Sequence, residues 1–448
     1  MLNFTDKATI MTRQHVHIIG GGLAGCEAAW QVVHQGCPVR LYEMKPQKFS
    51  PAHNSPLLAE LVCSNSLRSN AVTSAVGLLK EEMRRLHSLL IQIADETAVP
   101  AGQALAVNRE DFSTRITELI ENHPLIEVIH EEQIQLQADT ANPIILATGP
   151  LTSEGMAEAL ATITGQKRLA FYDAIAPIVT EESLNMEIIY SKSRWEDGPG
   201  DYLNCPMDKE QYLSFIHALA DAKTVPLQAF EDEKYFEGCL PIEVMLSRGE
   251  DTLRYGPMKP VGLRNPRTGQ DPYAVVQLRK ENKEGTVYNL VGFQTKLTYP
   301  EQKRIFRMIP GMEKVDFVRL GSIHRNTFVC APELLEPSLQ LKKAPAIYLA
   351  GQLSGVEGYV ESTAMGLLAG LNAGRSLLGK PAVIPPPETA LGALITHLTK
   401  TDPACFQPSN VNFGLFPPWD EKVPKRLRGE QRKEIALAAL ERWQNEAF

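Results

Sequence analysis

The chain has 448 residues, of which 44% are hydrophobic and 22% charged, and a formal net charge of −8. That length supports a full core and two or three domains, and that composition excludes a disordered or fibrous chain. No run of about 18 apolar residues predicts a membrane span, and Met1–Gln14 lacks the apolar stretch of a secretory signal, with Met11 a second candidate start. In chain order, Val16–Ile19 reads as a short buried strand that runs into Gly20-Gly21-Gly22-Leu23-Ala24-Gly25. A helix is predicted over Cys26–His34, with Gly36 placed to end it, and Val39–Glu43 is the next strand. This is a βαβ start, and the right-handed crossover makes its two strands parallel neighbours. Residues 45–73, with Pro46, Pro51 and Pro56, read as loop-rich. The spacing of Leu79, Met83, Leu86, Leu90 and Ile93 predicts one helix from an N-cap at Ser74 to Asp95.

Further along, Ile126–Ile129 and Pro143–Ala147 read as strands. Ser191–Asp201 is polar and rich in Gly, Pro and Trp, which places a domain junction there; residues 190–315 read as an inserted domain. A last strand, Ala346–Ala350, precedes Gly351, Gly355 and Gly358. The helix that follows carries Gly366, Gly370 and Gly374 on one stripe, which allows a close approach to a neighbouring element. Pro385–Pro387 is a stiff connector, and Gly429–Trp443 is a final amphipathic helix.

Gly20, Gly22 and Gly25 fit G-x-G-x-x-G directly after a strand and at the start of a helix. In that motif the first glycine permits the turn, the second lets backbone approach a pyrophosphate, and the third lets helix and strand pack closely. The helix N-terminus turns free N–H groups and a positive dipole end towards the phosphates. Glu43 ends the next strand, where a carboxylate accepts from ribose hydroxyls. Ala147-Thr148-Gly149 and Gly351-Gln352 each close a strand, and both are similar to turns that complete the FAD site of glutathione-reductase-like flavoproteins. An ordinary strand–helix turn is the alternative for Gly351–Gly358. The expected fold is α/β: a glutathione-reductase-like Rossmann FAD-binding domain, residues 1–189 and 316–448, interrupted by a smaller inserted α/β domain at 190–315.

The seven cysteines, at 26, 37, 63, 205, 239, 330 and 405, include no C-x-x-C pair, so neither a metal site nor a disulfide framework is expected. Free thiols of this kind suit a reducing, cytoplasmic setting. Cys63 is followed by Ser64-Asn65-Ser66-Leu67-Arg68-Ser69, where amides, hydroxyls and a guanidinium favour a thiolate. Cys239 sits between Gly238 and Pro241, which can present a thiol rather than pack it. For either cysteine the alternative is a small buried hydrophobe. Charge is also uneven: residues 254–343 carry 16 Lys and Arg against 8 Asp and Glu, a net of +8, leaving −16 on the remainder. A basic segment points to a polyanionic partner, or equally to a solvated face.

Five motifs together resemble the folate- and FAD-dependent tRNA (uracil-5-)-methyltransferases, the TrmFO family, over nearly the whole chain. They are Gly20-Gly21-Gly22-Leu23-Ala24-Gly25-Cys26-Glu27-Ala28-Ala29-Trp30, Tyr42-Glu43-Met44-Lys45-Pro46, Cys63-Ser64-Asn65-Ser66-Leu67-Arg68-Ser69, Gly238-Cys239-Leu240-Pro241-Ile242-Glu243-Val244-Met245 and Gly351–Ser362. The two cysteine motifs are far more specific than the glycine motif. The resemblance implies methylation of tRNA at carbon 5 of the T-loop uridine 54. Carbon would come from 5,10-methylenetetrahydrofolate, with reduced FAD as methylene carrier and reductant and NAD(P)H as the electron source.

The resemblance also assigns residues. Cys239 becomes the nucleophile that adds to carbon 6 of uracil, which makes carbon 5 reactive. Cys63, near the flavin, protects or releases the flavin adduct or serves as the base. Gly20, Gly21, Gly22, Leu23, Ala24, Gly25, Glu43, Ser66, Arg68, Thr148, Gly149, Gly351, Gln352, Gly358 and Tyr359 are expected at the cofactor. Lys259, Arg264, Arg267, Arg279 and Lys280 are expected on tRNA phosphates. Ile323–Phe328 is assigned to the folate and flavin face through Arg325 and Asn326, or is a structural turn. The rival readings are a flavoprotein acting at the tRNA wobble uridine, an NAD(P)H–flavin oxidoreductase of small molecules, and a non-catalytic RNA-binding flavoprotein.

Overall fold

The computed structural model describes residues 14–136, 141–165, 169–195, 198, 200–225, 240–419 and 423–447, with backbone alone for 169–173, 324–327 and 425. A six-stranded sheet is ordered Gln340–Leu341, Ala344–Leu349, Ile144–Leu146, Val16–Ile19, Val39–Tyr42, Ile126–Ile129. All its pairings are parallel except the hairpin that joins the first two strands. Val16, Ile18, Leu41, Ile145 and Ile347 are fully buried, as strands covered on both faces require. The expected Rossmann-like α/β architecture is therefore present.

The helix Leu23–Val33 leaves the first strand, and the helix Tyr359–Leu377 lies against it. The glycine stripe makes that contact. A Cβ at Gly366 would stand 2.2 Å from the Ala24 carbonyl oxygen, and one at Gly370 would stand 2.5 Å from that of Ala28.

Two local expectations change. The apolar run after Ser74 forms two helices, Ala75–Arg85 and Leu89–Glu96, each capped by a serine side chain, Ser74 and Ser88. His87 between them takes a left-handed φ of 57°. Both helices bury onto the same core, so the apolar spacing continues across the break. The loop-rich stretch before them contains a strand, Ser66–Ser69, paired with Ala104–Val107. Lys80, fully buried, holds that strand from beneath by donating to the carbonyls of Leu67 and Ser69, each at 2.7 Å.

A second six-stranded sheet is antiparallel and ordered Tyr190–Ser191, Tyr202–Met207, Ala274–Lys280, Val287–Leu290, Ile178–Thr180, Phe317–Arg319. Two of its strands, Ile178–Thr180 and Phe317–Arg319, lie outside the expected 190–315 span, and Tyr190–Ser191 and Tyr202–Met207, on either side of the expected junction, pair with each other in this sheet. Ala274, Val276 and Leu278 alternate into a core with Phe215, Phe293 and Phe306. Gln277 and Arg279 occupy the opposite face. An antiparallel ribbon, Leu169–Ile175 with Ser322–Phe328, connects this unit to the first. Among the described residues no helix is long and apolar enough to cross a membrane.

Candidate active site

The residues expected at the cofactor border one cavity of about 440 Å³, with the exceptions of Gly21 and Gly25. Those two shape the cavity from behind. The Gly21 N–H donates to Glu43 Oε2 at 2.8 Å, and a Cβ on Gly25 would collide with the Gly20 carbonyl at 1.8 Å. Gly20 itself has φ +107°, and a Cβ there would lie 2.4 Å from the Ala147 oxygen. Only glycine fits this crossing of strand and turn.

Two helix N-termini reach the cavity. Gly22 caps Leu23–Val33 and Gly358 caps Tyr359–Leu377, and neither cap has a side-chain hydrogen bond. The first N–H groups of each helix have no intrahelical acceptor and so suit an anion. Apart from their own chain neighbours, no atom of the described residues lies within 4 Å of a Cβ built on Gly22 or Gly149. A dinucleotide cradle with a pyrophosphate at the first helix and a ribose at Glu43 fits this arrangement.

Cys63 stands at the cavity edge. Its Sγ lies 2.9 Å from the Tyr359 hydroxyl. That hydroxyl oxygen also accepts from the backbone N–H of Cys63 at 2.8 Å and of Ser64 at 3.3 Å. Both lone pairs are then occupied, so the phenolic proton turns to the sulfur. Burial, followed by the charge of Cys63, raises Tyr359 well above the ordinary phenol range, which keeps that proton in place. A thiolate at Cys63 would receive a charge-assisted hydrogen bond from this hydroxyl.

Guanidiniums surround the same loop. Arg109 donates to the Leu61 carbonyl, Arg319 to the Val62 carbonyl, and Arg279 to Ser64 Oγ at 2.7 Å and Asn65 Oδ1 at 3.1 Å. Burial works to lower Arg109, but Glu281, ion-paired with it at 2.7 Å, acts together with Tyr359 and Cys63 to hold the group above its ordinary value. Burial lowers Arg279 and Arg319. These arginines supply the positive field expected of Arg68. Arg68 instead pairs with Glu361 and reaches Asn410 Oδ1 at 3.3 Å.

Arg279 is thereby corrected: it is 7% exposed and faces the cavity, not an outer phosphate surface. Its place had a signal in the strand alternation, since it follows Leu278 and so falls on the face opposite the core. Tyr359 as the partner of Cys63 had none, because 296 residues separate the two.

Other expected residues lie elsewhere. Cys239 is outside the described residues. Three residues later the Ile242 N–H donates to the carbonyl of Gln294 at 2.9 Å, and Gln294 borders the cavity. Lys259, Arg264 and Arg267 are exposed and do not border it. Arg267 spends its guanidinium on backbone carbonyls, among them Met186 at 2.7 Å and Ile189 at 3.0 Å. Arg325 and Asn326 sit in the strand Ser322–Phe328, so that segment is not a turn; their side chains lie outside the described set. Burial drives the thiols of Cys26 and Cys205 far above the usual range, which makes them packing groups. Among the described residues no cluster of three or more His, Cys, Asp or Glu could hold a metal ion.

The chain matches the family model "Glucose inhibited division protein A" over residues 15–381. It is 67% identical over 428 residues to a protein of Desulfotalea psychrophila named methylenetetrahydrofolate–tRNA-(uracil-5-)-methyltransferase TrmFO, covering 96% of each chain. Proteins of the same name from Geobacter sulfurreducens and Syntrophus aciditrophicus are 58% and 57% identical, covering 96% of this chain and 98% of each relative. Among solved structures, Aquifex aeolicus GidA in its form II crystal superposes with a TM-score of 0.71. That match spans 97% of this chain and 74% of that one at 16% identity, a likeness of fold.

Proposed function

The chain belongs to the glucose inhibited division protein A family and, within it, to the TrmFO methylenetetrahydrofolate–tRNA-(uracil-5-)-methyltransferases, and from that premise we propose that it methylates carbon 5 of uridine 54 in the tRNA T loop. The observation that carries this reading is a single cavity that joins a dinucleotide cradle to a thiol held by a phenol. When bound, FAD supplies electrons and carries the one-carbon unit drawn from 5,10-methylenetetrahydrofolate, with NAD(P)H as the reductant.

The chain's own residues do the rest. Gly20, Gly22, Leu23 and Ala24 hold the pyrophosphate against the first helix, and Glu43 holds the ribose. Cys239 adds its thiolate to carbon 6 of uracil, which gives carbon 5 enolate character and makes it a nucleophile. Once carbon 5 has bonded to the one-carbon unit, Cys63 takes the carbon 5 proton, with Tyr359 and the three arginines keeping its sulfur anionic until it does. Cys239 departs as the ring double bond re-forms, with the transferred carbon brought to the methyl level by hydride from the bound reductant. Lys259 and Arg264, on the inserted unit, meet tRNA phosphates. Arg325 and Asn326 serve the folate side. The protein works in the cytoplasm, where its substrate is.

The test is transfer of labelled carbon from methylenetetrahydrofolate to an unmodified tRNA transcript by Cys239→Ala. Methylation is expected to vanish while the protein stays yellow. Ordinary turnover by that variant would remove the nucleophile from the account.

A further inference from the structure

Asn289 is 3% exposed and stands directly opposite Arg279 in the antiparallel sheet. Directly opposed residues of such a pair project to the same face. Their neighbours Leu278 and Leu290, also paired, point into the core of the inserted unit, so Arg279 and Asn289 both leave towards the cavity. Arg279 is satisfied there by Ser64 and Asn65. Asn289 is not. It borders the cavity, yet its Nδ2 has no hydrogen-bond partner among the described residues. A buried carboxamide donor left unpaired is costly and rare in a native fold. Leucine would fill this position without that cost. The amide is placed to pair with a bound molecule.

We propose that Asn289 reads the uracil ring of the substrate at its lactam edge, with Nδ2 donating to a ring carbonyl and Oδ1 accepting from the adjacent ring N–H. A carboxamide offers one donor and one acceptor side by side, the complement of a ring C=O next to N–H. Flavin and pterin rings carry the same edge. Position selects uracil. Val291, Gly292 and Gln294 continue the wall from Asn289, and Gln294 anchors Ile242, three residues beyond the proposed nucleophile. Of the three rings, the one attacked from a residue so close in sequence to Ile242 is the one this wall would meet. The inference rests on the methyl-transfer reading above.

The experiment uses full-length holoprotein with unmodified tRNA transcript and labelled methylenetetrahydrofolate. Asn289→Ala is expected to lower kcat/KM for the transcript by roughly tenfold or more, with flavin content and the KM for folate unchanged. Asn289→Leu, which removes the unpaired donor at similar size, is expected to keep the melting temperature of the parent. Equal kcat/KM in Asn289→Ala and parent overturns the proposal. So does a loss of flavin or a raised folate KM, because the wall would then read another ring. A marked fall in melting temperature for the leucine variant also overturns it, since the amide would be a structural group. Parent enzyme run alongside separates the two claims. No methylation by the parent sinks the methyl-transfer reading, whereas a variant equal to an active parent sinks only this one.

Discussion

The parallel sheet meets the cavity with backbone, at strand ends, glycine turns and the first turns of two helices. The antiparallel sheet meets it with side chains sent out from one face, Arg279 and Asn289 opposite each other. Between them lies the Leu61–Asn65 loop, which belongs to the first unit and is held by three arginines, two of them, Arg279 and Arg319, on the second sheet. The difference follows from what each wall would hold. A pyrophosphate is a fixed anion that N–H groups and helix dipoles bind without side chains. A ring read at its edge needs a directed donor and acceptor. Backbone recognition tolerates no added volume where elements touch, whereas side-chain recognition tolerates volume and fails when a polar atom is lost.

The largest effect expected from this contrast is on the backbone wall. Gly366→Leu forces a side chain into the 2.2 Å space before the Ala24 carbonyl and pushes Leu23–Val33 out of line. Overpacking of this kind costs about 3 kcal/mol or more. The melting temperature and the flavin-to-protein ratio should both fall sharply. A yellow variant of parental stability would mean that the close helix contact does not shape the cradle.

A smaller and different effect is expected on the other wall. Arg279→Met keeps the apolar stem but removes the donors to Ser64 Oγ and Asn65 Oδ1, so the loop that carries Cys63 loses two of its ties to the second sheet and keeps those made by Arg319 and by Asn65 Nδ2 to the Lys280 carbonyl. Turnover should drop roughly tenfold to a hundredfold, the scale of a displaced reacting group, while flavin content stays at the parental level. Flavin loss in that variant would erase the distinction between the walls.

The backbone wall was legible in the sequence, because its demands are local. Gly20, Gly22 and Gly25 sit in fixed spacing beside a strand, and Gly366, Gly370 and Gly374 declare a close contact before the partner is known. Ser74 proved to be the cap it was expected to be. The break at His87 was hidden, since two helices on one core keep one apolar rhythm.

The side-chain wall was hard to read for the opposite reason. Charge counts treat Arg279 and Arg267 alike, yet one is buried at the cavity and the other clamps surface carbonyls. The phenol that holds Cys63 is 296 residues away in the chain. Such pairings are made by topology, and composition does not record them.

The central claim is methylation of one base by an enzyme whose cavity joins flavin to thiol. Its most direct measurement compares two tRNA transcripts that differ only at position 54, uridine in one and cytidine in the other, each incubated with the holoprotein, labelled methylenetetrahydrofolate and NADH. The account predicts one labelled 5-methyluridine in the first transcript and no label in the second. Label in both transcripts, or in neither, would contradict it.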